Sequence, residues 1–116
     1  MVPVSESTEQ LEFDEAYAGE ILGGEKTATV RYDMELPAVG SYVPATTQDG
    51  LEFAILKIKR TASVLAVEVP DLLDLFGANY GSSTVHEVVD GVNSHYQKTI
   101  LPATNVEVIV FEVVST

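Results

Sequence analysis

The chain has 116 residues, no cysteine, and 18 acidic residues against six lysines and arginines, a formal charge of −12. That length makes one packed domain, and the missing cysteines exclude a disulfide framework and thiolate chemistry. No apolar run approaches the roughly 20 residues of a membrane-spanning helix, and no basic segment followed by an apolar one opens the chain, so a soluble, cytoplasmic protein is expected.

The charge itself reads as a halophilic protein. Self-repulsion at this density weakens the compact state at low salt, and salt screens it. An acidic protein with a basic partner is the alternative.

Residues 1–10 are polar and read as a frayed N-terminus, leaving a single domain over 11–116. From Leu11 to Leu22 the apolar residues Phe13, Tyr17 and Ile21 recur every four positions, which predicts one face of a helix. The pair Gly23-Gly24 stops it. Thr27 to Tyr32 is rich in β-formers and predicts a strand, with Ala28 and Val30 on one face and Thr27, Thr29 and Arg31 on the other. Small apolar residues face a core, so the polar trio faces a cleft or solvent.

A loop through Pro37 leads to a short strand over Ser41–Thr46 and a hairpin signal at Gln48-Asp49-Gly50. Leu51 to Val69 is a β-rich run too long for one regular strand, so two strands or one sharply bent strand are expected, with a bulge or turn at 60–63. Pro70 opens a short helix carrying Leu72, Leu73, Leu75 and Phe76, closed near Gly77. Thr84 and Glu87 form a capping box for a helix whose stripe is Val85, Val88, Val89 and Val92, running on to Tyr96. Val106 to Val114 is the final strand.

Helix, strands, two helices, strand is not a regular βα alternation. The order excludes a doubly wound parallel sheet and predicts an α+β fold, a small mixed or closed sheet with helices packed on it.

Chemistry concentrates where the first helix meets the first strand. Residues 26–60 hold five of the six basic residues: Lys26, Arg31, Lys57, Lys59 and Arg60. An anionic ligand needs such an island in an acidic shell; chance clustering is the competing account. Lys26 follows two glycines and is either a ligand-binding cation or a solvated turn lysine. If a cleft desolvates it, its pKa falls and it becomes a base for Thr29. Thr29 is a nucleophile, a hydrogen-bond donor or an ordinary strand threonine, and Thr27 shares its face. The fork of Arg31 suits a phosphate or carboxylate, or an internal salt bridge to Asp33 or Glu35. Lys57 and Lys59 share an outward strand face, either reaching a nucleic-acid backbone or simply solvated. Lys26 and Thr29 differ in strand parity, so both face one point only if Lys26 lies in the turn. His86 and His95 are nine residues apart and share no helix face, so no metal is expected, and no phosphate loop or dinucleotide fingerprint calls for a cofactor.

Gly24-Glu25-Lys26-Thr27-Ala28-Thr29-Val30-Arg31, with Phe13, Tyr17 and Ile21 before it and Val39-Gly40-Ser41-Tyr42-Val43 after it, resembles the signature of ASCH domains. The resemblance covers most of 11–114. It implies a PUA-like small mixed β-barrel with helices packed against it, and a cleft that binds RNA or a nucleoside-type ligand, with no DNA specificity. One branch of that family, the small N4-acetylcytidine amidohydrolases, uses the motif's lysine and second threonine, here Lys26 and Thr29, with a downstream glutamate. That glutamate's place falls near Gly81, where this chain has no carboxylate; Glu68, Asp71 and Asp74 reach it only in a shifted alignment. The resemblance therefore implies a ligand-binding domain. The alternatives are an amidohydrolase acting on an acylated nucleoside and a non-catalytic protein-interaction module.

Overall fold

The computed structural model describes residues 10–32, 35–77, 101 and 103–115. Residues 1–9 of the expected frayed segment, and the expected helix over Val85–Tyr96 with His86, His95 and the position of Gly81, lie outside the described residues.

Five strands make one mixed sheet: β1 (Leu11–Phe13), β2 (Ala28–Arg31), β3 (Tyr42–Thr47), β4 (Glu52–Leu65) and β5 (Asn105–Ser115). Their spatial order is β1-β3-β4-β5-β2, with β1 parallel to β3 and the other pairs antiparallel. The sheet curls into a half-barrel, and two helices, α1 (Ala18–Leu22) and α2 (Val69–Phe76), pack against it. This is the α+β architecture the sequence predicts.

The helix expected over Leu11–Leu22 is only half helix. Leu11 and Phe13 are buried on a short strand, with Leu11 opposite Ala45 and Phe13 opposite Thr47. Asp14 ends that strand and caps a single 3-10 turn, its carboxylate accepting from the Ala16 amide at 3.0 Å, and α1 follows. A spacing of four between Phe13, Tyr17 and Ile21 mimics a helix face, but the parallel partner strand that claims Leu11–Phe13 is more than 30 residues distant in sequence.

The long β-run is one bent strand. In β4 the pairing with β5 slips between Ile55 and Leu56 and again between Ile58 and Arg60, so the distortion centres on Lys59, just before the place expected. Each slip adds local twist and helps curl the sheet. A 3-10 turn over Ala66–Glu68 then leads into α2, with Pro70 in its first turn, and Gly77 closes it in the left-handed conformation at φ 66°.

Alternation along the strands sorts the core onto two faces. Ala28, Val30, Val106, Val108 and Val110 face Ala66, Val69 and Leu73, so α2 covers this side. The opposite side gathers Leu11, Phe13, Ile21, Val43, Ala45, Leu56, Ile58, Ile109 and Phe111, and α1 sits there. Thr29 stands opposite Ile109 in the β2–β5 ladder, so Thr29 and Arg31 belong to the α1 side.

Candidate functional site

The turn after α1 is wound tightly enough to push Lys26 inward. Gly23 donates to the Gly19 carbonyl, Gly24 to Ile21, and both Glu25 and Lys26 donate to Glu20. Gly24 holds φ at 80°, a value that suits glycine. Since β2 begins only at Ala28, Lys26 lies in the turn, which is the condition for it to face the same point as Thr29.

Lys26 is 4% exposed, and its ammonium stands 5.0 Å from the centroid of the Tyr17 ring, a cation–π arrangement. Burial, reinforced by the charge of Arg31 and opposed by that of Glu20, lowers its pKa from 10.5 to about 8. Thr29 is 5% exposed and accepts a hydrogen bond from Arg31 Nε at 3.0 Å. The same guanidinium donates from Nη2 to the Glu12 carbonyl at 2.6 Å and lies 4.9 Å over the Phe13 ring. Phe13 is itself wedged edge-on between Phe53 and Phe111, with centroids 6.3 and 5.8 Å away. An aromatic floor thus fixes the plane of Arg31, and Arg31 fixes the hydroxyl of Thr29.

Arg31 is the link among the three: it donates to Thr29, and its charge acts on Lys26. The Thr29 oxygen already accepts from Arg31, so its hydroxyl hydrogen points elsewhere, and the cluster presents donors. Thr27 is half-buried at the start of the strand, where its carbonyl accepts from the Phe111 amide at 2.9 Å. With Lys26, Ile21–Gly24 and Phe111–Val113 it lines a cavity of about 310 Å³.

Lys57 and Lys59 do not join this group. Lys57 alternates with Leu56 and Ile58 of the α1-side core, which turns it to the other face of the sheet, and Lys59 pairs with Glu112 at 3.2 Å. The carboxylates of the shifted alignment stand elsewhere too. Glu68 accepts from the Leu65 amide at 2.9 Å, and Asp71 and Asp74 are exposed on α2, against the opposite face.

The sequence reading missed one carboxylate. Glu107 is directly opposite Arg31 on β5, on the Thr29 side of the sheet, and accepts from the Ser63 hydroxyl at 2.7 Å. The alternation of Val106, Val108 and Val110 with Glu107 was its signal, but only pairing with β2 shows which carboxylate meets the motif. Among the described residues no three His, Asp or Glu side chains cluster to hold a metal, and no helix is long and apolar enough to cross a membrane.

This curled sheet, with its helix–turn–strand corner, is the fold of ASCH domains. An ASCH domain from Lactobacillus crispatus superposes with a TM-score of 0.68 at 17% identity, covering 94% of this chain and 82% of that one. A protein of Enterococcus faecalis described as DUF984 gives 0.65 at 17% identity, over 91% of this chain and 76% of the other. A mutant of ZmASCH from Zymomonas mobilis gives 0.62 at 13% identity, over 88% and 66%. No protein-family model matches the sequence, and no curated protein matches it significantly.

Proposed function

We propose that this chain is an ASCH-type domain that binds RNA or a nucleoside-like ligand at Lys26, Thr29 and Arg31, in a single domain over 11–116. The observation that carries this reading is the buried polar group in the motif: a lysine 4% exposed that feels the charge of Arg31, and a threonine oriented by that guanidinium 3.0 Å away. Burying an ammonium opposes folding, so a fold needing only a packed corner is better served by an apolar residue. Donors from three side chains select an acceptor-bearing group, such as a pyrimidine carbonyl or a phosphate oxygen. Of the three, Lys26 lines the cavity, together with Thr27, and a ligand seated there reaches the cluster from the lysine end. Lys59 is held by Glu112, which lines the same cavity, while Lys57, on the other face, serves only a ligand long enough to wrap the sheet, as an RNA strand is.

The test is calorimetric titration of the protein in molar KCl with the four common ribonucleosides, N4-acetylcytidine and a short single-stranded RNA. Lys26→Ala removes a charge-assisted contact worth roughly 1.5–3 kcal/mol and is expected to weaken binding about ten- to hundredfold. Wild-type protein that binds none of these probes overturns the reading and leaves the protein-interaction module.

A second reading has its own observation. A lysine with pKa about 8 and a threonine three residues on are the pair an amidohydrolase needs: Lys26 takes the Thr29 hydroxyl proton as the oxygen attacks the acyl carbon, returns it to the departing amine as the C–N bond breaks, and water then hydrolyses the acyl-threonine. Its partner glutamate is missing from the sequence near Gly81, so weak or absent turnover of N4-acetylcytidine is expected. Robust deacetylation, abolished by both Thr29→Ala and Lys26→Ala, establishes the enzyme instead.

A further inference from the structure

Three strands present one polar row across the α1 side of the sheet. Arg31 on β2 is directly opposite Glu107 on β5, and Glu107 is directly opposite Ser63 on β4. Residues paired in this way have side chains on one face, with Cβ atoms roughly 4.5–5.5 Å apart. The Ser63 hydroxyl donates to Glu107 Oε2 at 2.7 Å and fixes the carboxylate in place. Ser63 is Glu107's partner among the described residues.

Exposure grades along this side. Lys26 and Thr29 are buried, Arg31 and Glu107 half-buried, and Ser63 exposed. The buried end offers donors; the rim offers a carboxylate, an acceptor with two oxygens. A ligand filling both ends therefore carries acceptors at its inner end and donors at its outer end. A ribonucleoside has this arrangement: base carbonyls at one end, and at the other a sugar with vicinal hydroxyls. Its sugar must also lie at the open rim if the ligand is one residue of a longer RNA, because the chain continues from the sugar.

Resting on the nucleoside-binding reading above, we propose that Glu107, held by Ser63, is the specificity-determining residue of the site, accepting hydrogen bonds from ribose hydroxyls and so selecting ribose over deoxyribose. A bland structural pair is the competing account, since a Ser–Glu hydrogen bond across two strands also stabilises a sheet by itself. The two accounts differ in what a substitution changes. A structural pair moves stability alone; a ribose acceptor moves the ratio of affinities between two ligands.

The experiment measures, by calorimetry, the affinity of wild-type protein for the tightest-binding ribonucleoside and for its 2′-deoxy counterpart. A charge-assisted hydrogen bond lost with the hydroxyl is expected to make the deoxy form bind about tenfold more weakly or worse. In Glu107→Gln, which keeps the shape and loses the charge, the ratio is expected to fall to about two- to threefold, the ribose form losing more affinity than the deoxy form, which keeps only its 3′-hydroxyl contact. Ser63→Ala, which frees the carboxylate without removing it, is expected to give an intermediate ratio. Thermal melts of both variants verify that the fold persists. A wild-type protein that binds both ligands equally, or a Glu107→Gln variant that keeps the full ratio, overturns this inference while leaving nucleoside binding intact. No binding of any nucleoside by wild type overturns both.

Discussion

Arg31 Nη2 donates to the Glu12 carbonyl oxygen at 2.6 Å, and these two residues belong to β2 and β1, the opposite edges of the five-stranded sheet. A side chain from one edge therefore clasps the backbone of the other, and the curl of the half-barrel is held where the candidate site lies. The same guanidinium orients Thr29. Closure of the sheet and preparation of the site are one set of contacts.

Arg31→Lys is expected to loosen both. An ammonium lacks the planar fork that reaches Thr29 and Glu12 together, and a lost charged hydrogen bond costs roughly 1.5–3 kcal/mol. Urea denaturation is expected to show a loss of about 2 kcal/mol, with faster amide exchange in β1 than in β5. An unchanged midpoint would assign Arg31 to ligand contact alone.

Lys26 makes stability depend on pH in the alkaline range. Its pKa is lowered to about 8 in the folded chain, from 10.5. Between those values the unfolded chain holds more protons than the folded one, so stability rises with pH there. Below pH 8 the full penalty of the buried ammonium applies, and above it the penalty fades. Equilibrium unfolding between pH 7.5 and 9.5 is expected to show a gain on the order of 2 kcal/mol. Lys26→Met is expected to be more stable than wild type at pH 7 and to lack the rise. Parallel pH profiles for both proteins would refute the burial of this cation.

Two glycines at the ends of α1 separate backbone strain from crowding. A Cβ at Gly24 meets nothing within 4 Å, but φ there is 80°. Gly24→Ala is therefore expected to lose about 1 kcal/mol through the backbone alone. Gly19 is helical, and a Cβ there also meets nothing within 4 Å. Gly19→Ala is expected to gain up to about 1 kcal/mol from helix propensity. Thermal melts showing the same sign for both would discard this account.

Salt is expected to stabilise the chain strongly. With a formal charge of −12, repulsion between carboxylates falls as the Debye length shrinks from about 10 Å at 0.1 M to 3 Å at 1 M. The melting temperature is expected to climb steeply from low salt to molar KCl. A flat profile would set aside the halophilic reading of the composition.

Local pattern was enough for much of this protein. Period-two alternation put Ala28 and Val30 against one core and Thr29 and Arg31 on the other face, as the structure has them. Glycines and prolines marked the turns: Gly23-Gly24 after α1, Gln48-Asp49-Gly50 between β3 and β4, and the Pro70 and Gly77 boundaries of α2. These signals are legible because each depends on residues within a few positions of one another. Tertiary structure alone decided the rest. Leu11–Phe13 became a strand because β3 offers it a parallel ladder, and a spacing of four cannot report a partner so far along the chain. The sequence left Arg31 between a ligand and an acidic neighbour; the curl of the sheet brought Glu12 and Phe13 to it, which no local pattern reports. Lys57 was separated from the motif by the sheet itself, and Glu107 was brought opposite Arg31 by the β2–β5 register. Side-chain periodicity is a property of one segment, whereas pairing and curvature belong to segments that meet only when the chain has folded.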